Sequence, residues 1–208
     1  MDVREKILDT TFRFLMDEGC RKVTMDEIAA FNGMSKRTIY ENFSDKEDLI
    51  EQCIKYACGK MEHAVQSRLD QGSEFLDIVF DFPPRDSRSA MLRVMKFMDD
   101  VERYHPQVFA RVKAYVSNIH ADNMQSLLRK GIDEGLLLPS LPVEELAFIL
   151  VRILDLFVDK KTMECRTIAQ DDLFILLFVT YIRGLATEAG RKRIDVRIKM
   201  INQRKQTI

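Results

Sequence analysis

Apolar residues recur at intervals of three and four along almost the whole chain, the period of an amphipathic helix packed on one side. Val3, Ile7, Leu8, Phe12, Phe14 and Leu15 predict a helix over residues 2–18, stopped by Gly19. Thr24 with Glu27 forms a capping box that starts a second helix near Met25, with Ile28, Ala29 and Phe31 as its apolar face. Asn32-Gly33 closes it and turns the chain, and Ala29 with Gly33 leaves little side chain where the next helix would cross. Ser35 caps a third, shorter helix. On it Ile39 and Phe43, four apart, face inward, leaving Lys36, Arg37, Thr38, Tyr40 and Asn42 for an outer surface. Two short helices joined by such a turn form a helix-turn-helix, which can place the second helix in a major groove.

Ser44 with Glu47 reads as another capping box, starting a long helix from about residue 45 to 71. Beyond Gly72-Ser73 a short apolar helix over 75–82 ends at Pro83-Pro84. A helix over 87–104 follows, bounded by His105-Pro106, because a proline ring disfavours the helical conformation at the residue before it. Helical pattern resumes over 106–115 and 116–135, with room for a bend between them. Pro142 suits the first turn of a helix over 143–160, and one more helix spans about 171–188. With few runs alternating at period two, the pattern predicts an all-α fold of about nine or ten helices.

The run from Val23 to Leu49 resembles the DNA-binding segment of the TetR/AcrR family of bacterial one-component transcriptional regulators. Val23-Thr24, Ile28-Ala29, Gly33, Ser35, Thr38-Ile39-Tyr40, Phe43, Lys46 and Leu49 carry the resemblance. It implies a three-helix head over 1–46 and a helical effector-binding and dimerisation bundle over 47–208. Resemblance and charge together assign Thr24, Ser35, Tyr40 and Lys46 to the DNA backbone, and Lys36, Arg37 and Thr38 to base edges, Arg37 being able to pair bidentately with guanine. Asn42 shares that outer surface. Arg37 stands where the family often has a small residue, and Asn42 where it often has an aromatic or a histidine, so no relative's operator carries over to this chain.

The resemblance also implies a dimer built by the last two long helices. Leu146, Leu150, Ile153 and Phe157 on one, and Leu173, Leu177, Tyr181 and Gly184 on the other, are the interface candidates; a two-fold protein suits a two-fold operator. Met95, Met98, Tyr104, Phe109, Tyr115 and Met124 form a soft and aromatic stripe of the kind that is ordinarily core. The resemblance makes part of it the lining of a small-molecule effector cavity, with His120 and Arg152 as polar contacts.

Composition fits a globular protein, with 46% hydrophobic and 31% charged residues. Nothing at the start reads as a secretory signal, and the apolar runs near 147–158 and 173–182 fall short of the roughly 20 residues of a membrane span. A cytoplasmic protein without a membrane partner is the expectation. Charge complicates the picture, since residues 1–50 carry eight Lys and Arg against eleven Asp and Glu, an acidic excess of three in the predicted DNA-binding part. A helical ligand-binding or adaptor protein that has lost DNA binding is therefore the alternative. From Arg191 onward seven cations face Asp195 alone, and a solvated helix end is expected there in preference to a DNA contact.

Candidate chemistry is sparse. His63, His105 and His120 share no ligand or triad spacing, and Cys20, Cys53, Cys58 and Cys165 have no metal spacing. No enzyme, metal or cofactor is expected. A bundle enzyme remains the third class, and turnover without DNA would be its sign.

Overall fold

The computed structural model describes residues 2–81, 88–156 and 170–205. Within them the regular elements are helices, joined by short turns and loops, with a single antiparallel bridge between Leu137 and Ala186. The helices are α1 (Val3–Glu18), α2 (Met25–Asn32), α3 (Lys36–Asn42), α4 (Lys46–Asp70), α5 (Phe75–Phe80), α6 (Arg88–Tyr104), α7 (Pro106–Asp133) and α8 (Val143–Asp155). A π-helical segment (Ile175–Val179) joins α9 (Gln170–Phe174) to α10 (Thr180–Gly184), and α11 (Glu188–Lys205) follows. The chain divides into two compact units, one of residues 1–64 and 89–119, the other of residues 65–88 and 120–208.

The first unit starts with helices whose ends are written in the sequence. Asp2 and Glu5 form a capping box on α1, and Thr24 and Glu27 form one on α2. Gly33 ends α2 in the left-handed conformation at φ 64°. No neighbouring atom lies within 4 Å of where its Cβ would be, so the backbone conformation, and not a tight helix crossing, calls for glycine there. Ile7, Leu15, Ile28, Ile39, Phe43, Leu49 and Ile50 form the core with Phe97, Val101, Val108 and Val112 from α6 and α7. The start of α4 departs from expectation. Asp45, not Ser44, is its cap, accepting the Asp48 amide at 2.8 Å, while the Ser44 amide donates to Asp48 at 3.0 Å. The predicted partner Glu47 is thereby free to face His105.

In the second unit Phe75, Leu76, Leu128, Leu137, Ala147, Leu150, Phe178 and Ile194 lie in one core. The α5 amide of Phe75 donates to both oxygens of Glu134, 3.0 Å each, standing in for a cap. Helix α7 runs unbroken where two segments were expected, α5 ends at Phe80, and Pro142 stands at the cap of α8, just before its first turn. The predicted helix over 171–188 stops at Gly184, and Glu188 already belongs to α11. The basic end is also no loose, solvated tail. Helix α11 buries Ile194 completely and pairs Arg193 with Glu74 (2.5 Å), Arg197 with Asp77, and Arg183 of α10 with its own Asp195 (2.6 Å).

Candidate nucleic-acid interface

Helix α3 is seven residues long, and one side of it is fixed. Ile39 is fully buried and Phe43 nearly so. Arg4 of α1 donates to the Asn42 carbonyl at 2.5 Å, satisfying an orphan group at the helix end, and its guanidinium lies 4.5 Å over the Phe43 ring. At the other end the Ser35 hydroxyl accepts the Thr38 amide at 3.1 Å and meets the Thr38 hydroxyl at 2.9 Å. These contacts set the rotation of the helix, and Ser35, Lys36, Arg37, Tyr40 and Glu41 are left exposed. Asn42, expected with them, is half-buried, and its amide donates to the Thr38 carbonyl at 2.9 Å, so it turns back on its own helix.

The cations of this surface all have intramolecular partners. Lys36 pairs with Asp26 of α2 at 2.8 Å, which holds its ammonium above the usual lysine range, and lies 6.0 Å from the Tyr40 ring. The Nε of Arg37 donates to Glu41 at 2.8 Å. Lys46 is half-buried at the start of α4, its Nζ donating weakly to the Arg21 carbonyl at 3.5 Å; burial pulls its pKa down, opposed by Cys20 and Glu27. The Thr24 hydroxyl is held by the capping box, accepting the Glu27 amide and donating to the Glu27 carboxylate. The Thr24 backbone amide, donating to the Glu27 carboxylate at 2.8 Å, and then the Thr24 hydroxyl keep that carboxyl below the usual carboxylate range.

The acidic excess of residues 1–50 is resolved by the same geometry. Asp9 pairs with Lys60 as well as Arg13, Asp17 pairs with Arg93, and Glu47 meets the His105 ring, all within the first unit, so the two cations beyond residue 50 offset part of it. Asp2, Glu5, Glu27, Asp45 and Asp48 are engaged in helix caps. Composition hid this, because Lys60, Arg93 and His105 lie far along the chain. The Arg37–Glu41 pair was legible from its i, i+4 spacing; the Lys36–Asp26 and Arg4–Asn42 contacts, between helices, were not.

The effector candidates fall in different units. Met98 and Phe109 pack, partly buried, against the core of the first unit, Met95 is buried, and Tyr104 and Tyr115 lie beneath Arg21 and Lys55. In the second unit Met124 is core, His120 is half-buried with burial pushing its pKa down, and Arg152 is exposed and paired with Asp155 at 2.9 Å. An open, polar groove of about 370 Å³ in that unit is lined by Gln66, Asp70, Ser126 and Arg129 among others, and by none of the eight candidates.

Of the interface candidates, Leu146, Leu150 and Leu173 are buried in the unit's own core, which corrects their assignment to a surface, and Ile153, Leu177 and Tyr181 pack partly against it. Gly184 is exposed, and Phe157 lies outside the described residues. The exposed apolar side chains on and next to these elements, among the described residues, are Phe148, Ile149, Leu156 and Leu176. Among the described residues no cluster of three metal-ligating side chains occurs, and no helix is long and apolar enough to cross a membrane.

Comparison with known proteins agrees with this geometry. Residues 7–53 match the profile of the bacterial regulatory proteins of the tetR family. The HTH-type transcriptional regulator YvaF of Bacillus subtilis is 26% identical over 113 residues, 54% of this chain and 59% of YvaF. The Staphylococcus aureus negative regulator of the biofilm operon icaADBC, IcaR, is 18% identical over 110 residues, 53% of each chain. The chain thus spans about half the length of the curated relatives it matches. The fold extends further. The fatty acid degradation regulator FadR of Bacillus halodurans superposes with a TM-score of 0.65 at 17% identity, covering 87% of this chain and 98% of FadR. Residues 7–53 thus carry the DNA-binding segment of the bacterial regulatory proteins of the tetR family, with the helix-turn-helix in place, and most of the chain shares the fold of FadR.

Proposed function

We propose that the chain is a cytoplasmic, homodimeric transcriptional repressor that binds a palindromic operator and is released from it by a small, largely apolar effector. Residues 1–46 bind the duplex, and residues 47–208 dimerise and bind the effector. One observation carries the reading: α3 is fixed in rotation by Ile39, Phe43 and Arg4 while Lys36, Arg37 and Tyr40 stand exposed on its outer side. A groove-reading helix needs that arrangement. Thr24, Ser35, Tyr40 and Lys46 position the head on phosphates, and Lys36, Arg37 and Thr38 read base edges.

Repression follows the relative IcaR, a negative regulator, and an apolar effector is in keeping with FadR, a regulator of fatty acid degradation that shares the fold. The dimer is supported by the exposed Phe148, Ile149, Leu156 and Leu176. In a symmetric interface such a patch meets its own copy. The effector acts by preferring the dimer whose heads do not match successive major grooves, and shifts the equilibrium only by that difference in affinity. Fluorescence-anisotropy titration against the duplex upstream of the protein's own reading frame, beside a scrambled duplex and at several salt concentrations, tests the reading. Tighter, salt-sensitive binding to the native duplex at one dimer per site is expected. Equal binding to both would count against a regulator acting at that promoter.

A further inference from the structure

Beyond its own charge, Glu41 stands in a position to control how Arg37 reads DNA. The guanidinium is a planar fork with five donors, and it can present two different edges: the Nε edge, or the terminal edge made by the two Nη atoms. In α3 the Nε donates to Glu41 Oε1 at 2.8 Å while the Arg37 side chain stays 88% exposed. The Nε edge is therefore taken by the carboxylate one turn further along, and the terminal edge faces out. Either edge carries two parallel N–H groups able to match O6 and N7 of guanine, so engagement of Nε by Glu41 leaves the terminal edge as the fork on offer.

We infer that Glu41 is a specificity-determining positioning residue, which holds Arg37 by its Nε so that only the terminal guanidinium edge is offered to the major groove, selecting guanine. The inference rests on the reading of α3 as the groove-entering helix. The neighbouring pair differs in kind. Lys36 carries a compact ammonium with no edge to orient, so Asp26 only neutralises it. A carboxylate beside DNA also repels phosphate, a cost to all sequences alike. Glu41 thus trades general affinity for discrimination, and the two effects separate in its variants.

The experiment uses the full-length protein with a library of duplexes randomised through the binding site, sequenced before and after capture. Wild type, Arg37→Ala, Glu41→Ala and Glu41→Gln are compared, with thermal unfolding as a control. Alanine suits an exposed helix position, so folding is retained. Glutamine keeps a neutral acceptor for Nε–H but removes the charge. Both Glu41 variants should tighten binding to arbitrary duplexes by a similar factor. Only Glu41→Ala should lose the guanine preference, by about tenfold, as Arg37→Ala does, with Glu41→Gln staying near wild type. Equal guanine preference in Glu41→Ala and wild type would overturn the inference while leaving Arg37 as the reader. An undiminished guanine preference in Arg37→Ala would remove the reading of Arg37 itself, and the role of Glu41 with it. Absence of any selected sequence would remove the regulator reading beneath both.

Discussion

The Asn32 amide nitrogen donates to the Thr11 hydroxyl at 3.0 Å, a hydrogen bond between two buried side chains that joins α1 to α2. The same nitrogen donates to the Ile28 carbonyl at 2.8 Å. A buried donor that loses a partner costs more than the bond contributes, so Thr11→Val, nearly equal in shape, should destabilise the chain by about 1 kcal/mol or more. That corresponds to about 2–4 °C in melting temperature for a chain of this size. Asn32→Leu should cost more alone. The double variant should be less unstable than the two losses added, because neither polar group is then left behind. Strict additivity in thermal unfolding of the four proteins would show that the bond does not couple the helices.

The head was legible because its determinants are local. Thr24, Glu27, Gly33 and Ser35 act within one helical turn of themselves, and Ile28, Ile39 and Leu49 sit at a period that the core preserves. Asn42 was misplaced because an exposed position in a helical wheel does not say where an amide will find its carbonyl. The last helices were harder to read. Leu150 and Phe148 are equally apolar, yet one is fully buried and the other 58% exposed, and only the packing of α8 decides which faces outward. The π-helical segment at Ile175–Val179 shifts the register again, so a 3.6-residue stripe drawn from Leu173 through Gly184 does not stay on one face.

Lys46 and Arg37 should fail in different ways. Lys46 stands half-buried at the start of α4, where a phosphate would meet both its charge and the positive helix end. Lys46→Ala should weaken binding to every duplex and lower the salt slope by about one for each head, whereas Arg37→Ala should alter base preference. Anisotropy titrations over a salt series, on native and scrambled duplexes, separate the two. The same loss of preference from both variants would reject that division.

Two glycines should respond unequally to alanine. Gly33 has open space around it and a left-handed φ of 64°, so Gly33→Ala should cost about 1–2 kcal/mol of backbone strain. Gly190, in the first turn of α11, has an ordinary helical conformation, but a Cβ there would lie 2.0 Å from the Leu136 carbonyl oxygen. That carbonyl also accepts the Thr187 amide at 3.0 Å, so it cannot move aside without losing the bond. Gly190→Ala should therefore be the more damaging substitution in chemical denaturation. The reverse order would mean that α11 is not docked against the 136–137 connector.

Acid should destabilise the chain in two steps of the same sign. His120 is the first, because burial pushes its imidazole down despite the nearby Asp155 carboxylate. The unfolded chain then takes up a proton that the folded chain refuses. Its contribution is present above the unfolded value of about 6.5 and fades as pH falls toward the folded value. Glu51 is the second. It receives Lys55 and Arg111, each at 2.7 Å, and those bonds, Lys55 first, hold its carboxyl below the usual range against the opposing effect of burial. Asp9, between Lys60 and Arg13, is shifted the same way. Stability from these carboxylates is complete above an unfolded value of about 4.3 for Glu and is lost as pH falls through the folded value. Denaturant unfolding across this range should show stability declining below pH about 6.5 and again below about 4. His120→Gln should remove the upper step without touching the lower one. Glu51→Gln should lower stability at neutral pH and make the acid decline shallower, since a neutral amide has no ionisation to lose and repels neither state. An unchanged acid limb in Glu51→Gln would mean that the Lys55–Glu51–Arg111 bridge between α4 and α7 does not hold its charge in solution.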